Sequence, residues 1–195
     1  MMKNKNSFII FVIFELIGIV SAINNIQEKN WTDFWFSILL IVTLLVPYVI
    51  VFLTTRKEIH LPKRFIEFSL IFIFMALYLG ELKNYYQIIL WWDILLHFLS
   101  GIYVVLIALK ISDNIITKEK RERISNRRYK ILILLFAFSF SITFGTLWEI
   151  FEFLGDHFFN TNMVKGGLDD TATDLIAHII SGLITAIVMY FKINT

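Results

Sequence analysis

The sequence contains no cysteine, only 2 prolines and few charged residues, which make up 17% of its 195 residues. Without cysteine the chain has no disulfide bond, no thiolate metal ligand and no cysteine nucleophile. The charged fraction lies below the roughly 25% of an average soluble domain, and the hydrophobic fraction of 57% lies above the usual value of about 45 to 50%. These deviations argue against a soluble globular protein.

The hydrophobic residues occur in six blocks separated by charged segments. Each block is close to the length of about 20 residues that crosses a hydrocarbon layer about 30 Å thick. The first block has no small-residue cleavage pattern after it, so we interpret it as a retained span and not as a signal peptide. The sequence therefore predicts an all-α fold, in which residues 1–195 form a single integral membrane domain. The six predicted spans are Ser7–Ile23, Phe34–Leu53, Phe65–Gly80, Ile88–Ile111, Ile131–Phe153 and Thr171–Phe191.

Basic residues predict the orientation of these spans. Of the 18 Lys and Arg residues, 15 lie in the two tails, in the loop between spans 2 and 3, and in the loop between spans 4 and 5. Because basic residues favour the cytoplasmic side, we expect both termini in the cytoplasm. The long basic loop, with Arg121, Arg123, Arg127 and Arg128, fits a topology determinant that touches anionic lipid, and not a nucleic-acid site. Membrane lipids are the predicted partners.

Ionisable residues gather at one end of the last three spans, the outer end in this orientation. Each such residue costs about 2.5 to 3.5 kcal/mol at the centre of a membrane helix, so each needs a reason. Within each span they are three or four residues apart and therefore share one helix face. We predict that they line one buried polar site in the outer leaflet. The residues are Asp93 and His97 in span 4, Glu149 and Glu152 in span 5, and Asp170, Asp174 and His178 in span 6.

Two of these spans contain similar sequences. Trp92–Gly101 (WDILLHFLSG) aligns with Thr173–Gly182 (TDLIAHIISG), with Asp, His, Ser and Gly at the same spacing. Both copies cross the membrane in the same direction. We therefore predict that spans 3–4 and spans 5–6 form a parallel internal repeat about an axis along the membrane normal.

The types of these residues suit a divalent metal such as zinc or manganese. Imidazole and carboxylate side chains on facing helices form such sites in other bundles. The candidate metal ligands are His97, His178, Asp93 and Asp174, and the candidate catalytic residues are Glu149, Glu152, Asp93 and Asp170.

Several functions remain open at this point. A bound metal could activate water against an ester or phosphoester of a lipid or lipid-linked envelope molecule. Without a metal, a buried Glu beside an Asp-oriented His could act as acid and base. The same residues could instead bind a lipid or amphiphile without catalysis, or only hydrogen-bond the helices together. A small transporter is a further alternative. The absence of H-E-x-x-H, G-x-S-x-G and Walker motifs disfavours zincin proteases, serine hydrolases and nucleotide-driven pumps.

Three segments carry a family resemblance: WWDILLHFLSG at Trp91–Gly101, LWEIFEF at Leu147–Phe153 and GGLDDTATDLIA at Gly166–Ala177. In order and topology they resemble the YjdF-like family of small bacterial integral membrane proteins, which is similar in pattern to the VanZ-like group. The resemblance implies a multi-pass protein of the bacterial cell membrane, with an envelope role of the stress or antibiotic-resistance type. His178 departs from the family pattern. The patterned positions are Asp93, His97, Gly101, Glu149, Glu152, Asp170, Thr171 and Asp174.

Overall fold

The computed structural model describes residues 5–116, 125–159, 163–164 and 166–192, and the regular secondary structure within these ranges is helical. Six helical segments in this part of the chain are long and apolar enough to cross a membrane. The predicted all-α membrane fold with six spans is therefore confirmed. In order, spans 1 to 6 are Lys5–Gln27, Trp31–Arg56, Phe65–Leu82, Trp92–Ile115, Asn126–Phe158 and Leu168–Lys192.

Among the starts of the spans, those of spans 4 and 5 differ most from the predicted ones. Span 4 begins at Trp92 and not at Ile88, because Ile89 has an extended backbone that separates the span from the short helix Tyr85–Ile88. Span 5 begins at Asn126, upstream of the predicted start, since Arg and Lys are good helix formers and extend the helix beyond its apolar block.

The orientation of the spans stays a prediction. Part of the basic loop on which it depends, including Arg121 and Arg123, lies outside the described residues. The described part of the loop continues into span 5, where Arg127 and Arg128 occupy the first helical turn.

Contacts within the chain divide it into two compact units, residues 1–92 and residues 93–195. In the first unit, spans 1 to 3 surround Leu40, Leu44 and Leu70, which are fully buried. Span 2 is interrupted at Leu45, and Pro47 lies in the first turn of the helix that follows. The N–H groups of a first turn have no acceptor within the helix, so the missing N–H of proline costs no hydrogen bond there.

The second half of span 3 is a π-helix, Phe74–Leu82, which continues the α-helix Phe65–Ile73. The indole nitrogen of Trp92 donates a hydrogen bond to the backbone carbonyl of Met75 at 3.3 Å. This bond anchors the residue directly before Asp93. The bond lies within the first unit, which ends at Trp92.

Spans 4 to 6 form the second unit. One end of it has an apolar core that includes Val105, Ala108, Ala137 and Ala186, whose small side chains let the helices approach closely. At Gly101 the approach is so close that a Cβ atom would overlap the backbone carbonyl of His178. The ionisable residues lie at the opposite end of the same three helices, so the core holds the helices that carry them.

Candidate functional site

His97 lies among carboxylates from more than one span, and only 5% of its surface is exposed. Its Nε2 atom lies 3.7 Å from Oδ1 of Asp93, one helical turn earlier, and 3.5 Å from Oε1 of Glu149 in span 5. Both distances exceed a hydrogen bond but allow an ion pair or a shared cation between the atoms. The face of span 4 that carries Asp93 and His97 therefore meets span 5 at Glu149.

Span 5 contributes two buried carboxylates, Glu149 at 5% and Glu152 at 8% exposure. The indole nitrogen of Trp148 donates a hydrogen bond of 2.8 Å to Oε1 of Glu152. Glu152 is thus oriented by a neighbouring donor, as metal ligands in proteins commonly are.

Span 6 contributes Asp174, which is 1% exposed. Spans 4 to 6 together provide two groups of possible metal ligands, and within each group the ligand atoms all lie within 4.8 Å of one another. One group is Asp93, His97 and Asp174, and the other is His97, Glu149 and Glu152. We call these five residues the carboxylate–histidine cluster.

Two oxygen atoms of the cluster are buried without a hydrogen-bond partner among the described residues, Oε1 of Glu149 and Oδ1 of Asp174. A buried polar atom that makes no hydrogen bond costs roughly 1 to 3 kcal/mol. Ionised carboxylates cost more, unless a charge of opposite sign lies beside them. These two oxygens therefore mark where a cation would be stabilised.

The cluster is most accessible to solvent on the side that carries two aspartates. Asp93 is 19% exposed, and Asp170, in the first turn of span 6, is half-buried. Asp170 lies close enough to Asp174 to interact with it electrostatically, but it belongs to neither ligand group. The structure therefore places this predicted catalytic residue near the cluster and outside its ligand sets.

His178 occupies a different environment from His97, although it too is buried, at 1% exposure. Its Nε2 atom lies 2.9 Å from the carbonyl oxygen of Ser141, and because a carbonyl only accepts, Nε2 carries a proton. The Ser141 hydroxyl also lies 2.9 Å from Nε2, and the Ser100 hydroxyl lies 2.9 Å from Nδ1. The ring therefore joins spans 4, 5 and 6 by hydrogen bonds.

This arrangement changes the predicted set of metal ligands. A metal binds a deprotonated imidazole nitrogen, whereas Nε2 of His178 is a donor and Nδ1 faces a serine. His178 belongs to neither ligand group. Of the four predicted ligands, the structure brings together His97, Asp93 and Asp174, and it places the fourth in a hydrogen-bond network.

Two residues that hold His178 had no place in the predicted site. Ser141 bonds the ring, and Gly145 leaves room for it, because a Cβ there would lie 2.9 Å from Cδ2 of His178. Their spacing contained a signal, since Ser141, Gly145 and Glu149 are successive i+4 positions on one face of span 5. That face carries both the metal-ligand candidates and the histidine contacts.

Comparison with known sequences gives the protein a family. Residues 7–195 match the model of a family described as predicted membrane protein (DUF2238). The chain belongs to the DUF2238 family. It is also 28% identical over 148 residues to a protein of Thermotoga maritima described as an uncharacterized protein, an alignment that covers 75% of this chain and 70% of the relative. No solved structure matches.

Membership of DUF2238 and the six spans confirm the predicted multi-pass protein of a bacterial membrane family. The family match covers all three spans of the carboxylate–histidine cluster. What the cluster does must be argued from its own geometry, because neither the family description nor that of the relative contains an activity.

Proposed function

We propose that this DUF2238 protein binds a divalent metal ion in the carboxylate–histidine cluster and uses it to hydrolyse an ester or phosphoester bond of a lipid or lipid-linked envelope molecule. One observation carries the proposal: the buried oxygens of Glu149 and Asp174 that accept no hydrogen bond from the described residues. Divalent cations beside these oxygens would stabilise them electrostatically. The candidate ligand atoms of each group lie within 4.8 Å of one another, which supports a metal ion at this place.

The donor set points to a hard or borderline metal. One imidazole and four carboxylates, with no thiolate in the chain, suit manganese, iron or zinc, and the oxygen-rich composition favours manganese. The hydrogen bond from Trp148 to Glu152 supports the proposal, because donors that orient ligating carboxylates are a regular part of metal sites.

Such an ion would supply hydroxide near neutral pH from a bound water molecule. The hydroxide oxygen would bond to the phosphorus or carbonyl carbon, and the bond from that atom to the leaving alcohol oxygen would break. The proton lost by the water would reach the leaving alcohol through Asp170, which lies near the cluster without belonging to a ligand group. Water is thereby consumed, and an acid and an alcohol are released.

The surroundings of the cluster favour a lipid substrate. The cluster lies within three membrane spans, and large apolar side chains beside it are exposed, with Ile94 at 40%, Leu147 at 58% and Phe151 at 56%. In a bilayer, apolar faces of this kind contact acyl chains. The head group of a lipid packed against them would lie near Asp93, the partly exposed member of the cluster.

The test compares Asp93→Asn with Asp113→Asn in detergent-purified full-length protein. Asp113 is a matched control because it has the same side chain, lies in the same helix and is exposed at its opposite end. Bound metals are measured by mass spectrometry. Hydrolysis of phosphatidic acid, phosphatidylglycerol and a polyprenyl diphosphate is measured in mixed micelles.

We expect metal and hydrolysis in the wild type and in Asp113→Asn, and a loss of both in Asp93→Asn at unchanged protein yield. Wild-type protein that contains no metal, and that takes up none from added Mn²⁺ or Zn²⁺, would refute the proposal.

A second candidate function is binding of a lipid or amphiphile without turnover. The observation that favours it is the His178 network, in which buried polar groups of the same three spans serve to join helices. Metal content without hydrolysis of any of the three lipids, together with saturable lipid binding, would favour this candidate.

A further inference from the structure

The carboxylate–histidine cluster consists of two ligand groups that have only His97 in common. We propose that it is a dinuclear site, with one divalent cation in the group of Asp93 and Asp174 and a second in the group of Glu149 and Glu152. This inference rests on the proposed function, since it concerns the number of ions in the same site. Three observations support two ions over one.

The first observation is the distribution of the unpartnered oxygens. Oδ1 of Asp174 belongs to one group, and Oε1 of Glu149 belongs to the other. Asp174 is 1% and Glu149 is 5% exposed, so solvent does not satisfy these atoms. A single ion in either group would leave the unpartnered oxygen of the other group without a cation.

The second observation is charge. The cluster contains four carboxylates, Asp93, Glu149, Glu152 and Asp174, and Glu152 and Asp174 each interact electrostatically with the other carboxylates. In the described parts of spans 4 to 6, the Lys and Arg residues are Lys110, Arg127, Arg128, Lys130 and Lys192, all at the opposite helix ends.

At a rise of about 1.5 Å per residue, Lys110 is roughly 25 Å along span 4 from Asp93. This separation is far beyond the distance of about 4 Å at which oppositely charged groups form an ion pair. The basic residues of these spans therefore do not balance the cluster. Two divalent cations match the formal charge of four ionised carboxylates, whereas one matches that of two.

The third observation is the position of His97 between the groups. Its Nε2 atom lies 3.7 Å from Asp93 and 3.5 Å from Glu149. One imidazole nitrogen binds one ion, so the other ion depends on carboxylate oxygens, and carboxylates suit manganese.

The experiment measures the number of bound ions. Full-length protein is loaded with Mn²⁺ alone in detergent, freed of excess ion and analysed for manganese per chain and by electron paramagnetic resonance. We expect about two ions per chain, with a spectrum of two magnetically coupled ions in place of the six-line spectrum of an isolated one. The Asp113→Asn control should also retain two ions.

Two substitutions then remove the groups separately. Asp174→Asn and Glu152→Gln should each reduce the content from two ions to about one and restore the isolated-ion spectrum. The conservative Glu152→Asp keeps the charge and should retain both ions, which separates loss of a ligand from loss of folding. One uncoupled ion per wild-type chain would overturn the dinuclear inference and leave the proposed function intact, whereas the absence of any ion would overturn both.

Discussion

The two histidines of the similar segments, His97 and His178, differ in what surrounds their rings. Locally they match: the Ser100 hydroxyl lies 2.8 Å from the carbonyl oxygen of His97, and the Ser181 hydroxyl lies 2.9 Å from the carbonyl oxygen of His178. The ring of His97 faces carboxylates at 3.5 and 3.7 Å, whereas the ring of His178 is held by serines at 2.9 Å.

Buried polar residues of this one bundle are therefore of two kinds. A ring whose hydrogen bonds are complete contributes to the packing of helices and has no nitrogen to offer a ligand. A ring that faces carboxylates beyond hydrogen-bond length has unused binding capacity. The same residue type in the same sequence context therefore indicates structure in one copy and a binding site in the other.

The largest expected effect comes from His178→Ala. It removes hydrogen bonds to two spans and leaves a cavity where the ring was buried, so we expect a loss of about 2 to 5 kcal/mol in the free energy of unfolding. Unfolding by sodium dodecyl sulfate in mixed micelles measures this loss. His97→Ala in metal-free protein is the comparison, and an equal loss for both variants would contradict the assigned difference between the two rings.

Next in size is the effect of His97→Gln on metal binding. His97 is the residue that both ligand groups share, so we expect Mn²⁺ affinity to fall by about 100-fold or more, which is about 2.7 kcal/mol. The thermal midpoint of this variant should no longer rise with added Mn²⁺. His178→Gln is the matched control. A similar loss of affinity in this variant would indicate that His178 also binds the metal.

Trp148→Phe should have a smaller effect on the same property. It removes the indole donor to Glu152 and retains most of the apolar side chain. Because such orienting residues typically contribute 10- to 100-fold in metal affinity, we expect a loss of about that size. Titration with Mn²⁺ measures it, and Trp91→Phe, at an exposed tryptophan, is the control. An unchanged affinity for Mn²⁺ would show that Trp148 does not orient Glu152 for metal binding.

The smallest effect is expected for Ser141→Ala. It deletes one hydroxyl that bonds His178 at 2.9 Å, while the backbone carbonyl of residue 141 still accepts from the ring. We expect a loss of about 1 kcal/mol in unfolding free energy and unchanged metal content. Ser139→Ala, at an exposed serine of the same helix, should change stability by less than about 0.5 kcal/mol. A reduced metal content in Ser141→Ala would contradict this prediction, because the contacts of His178 would then affect metal binding at His97.

Much of the fold was predictable because membrane spans have a simple sequence signature. Blocks of apolar residues of the right length predicted all six spans, and the errors at Ile88 and Ile131 arose where helix limits depend on backbone geometry and helix propensity beyond the apolar block. The family match over residues 7–195 agrees with the membrane class that these blocks indicate.

The sequence predicted which residues form the site better than it predicted the contacts that these residues make. Helical spacing placed Asp93 with His97 and Glu149 with Glu152, because residues three or four apart share a face. The same rule treated His178 like His97. It also overlooked Ser141 and Gly145, since small or weakly polar residues in an apolar span do not stand out without a neighbouring helix to contact.

The sequence by itself determined that this chain crosses the membrane six times and carries costly ionisable residues at one end of its last three spans. Hydrophobic length and helical periodicity are local properties, so they can be read along the chain. Only the tertiary structure decided which histidine meets carboxylates and which meets serines. That outcome depends on contacts with the other spans: Glu149 in span 5 faces His97, while Ser141 in span 5 and Ser100 in span 4 engage His178.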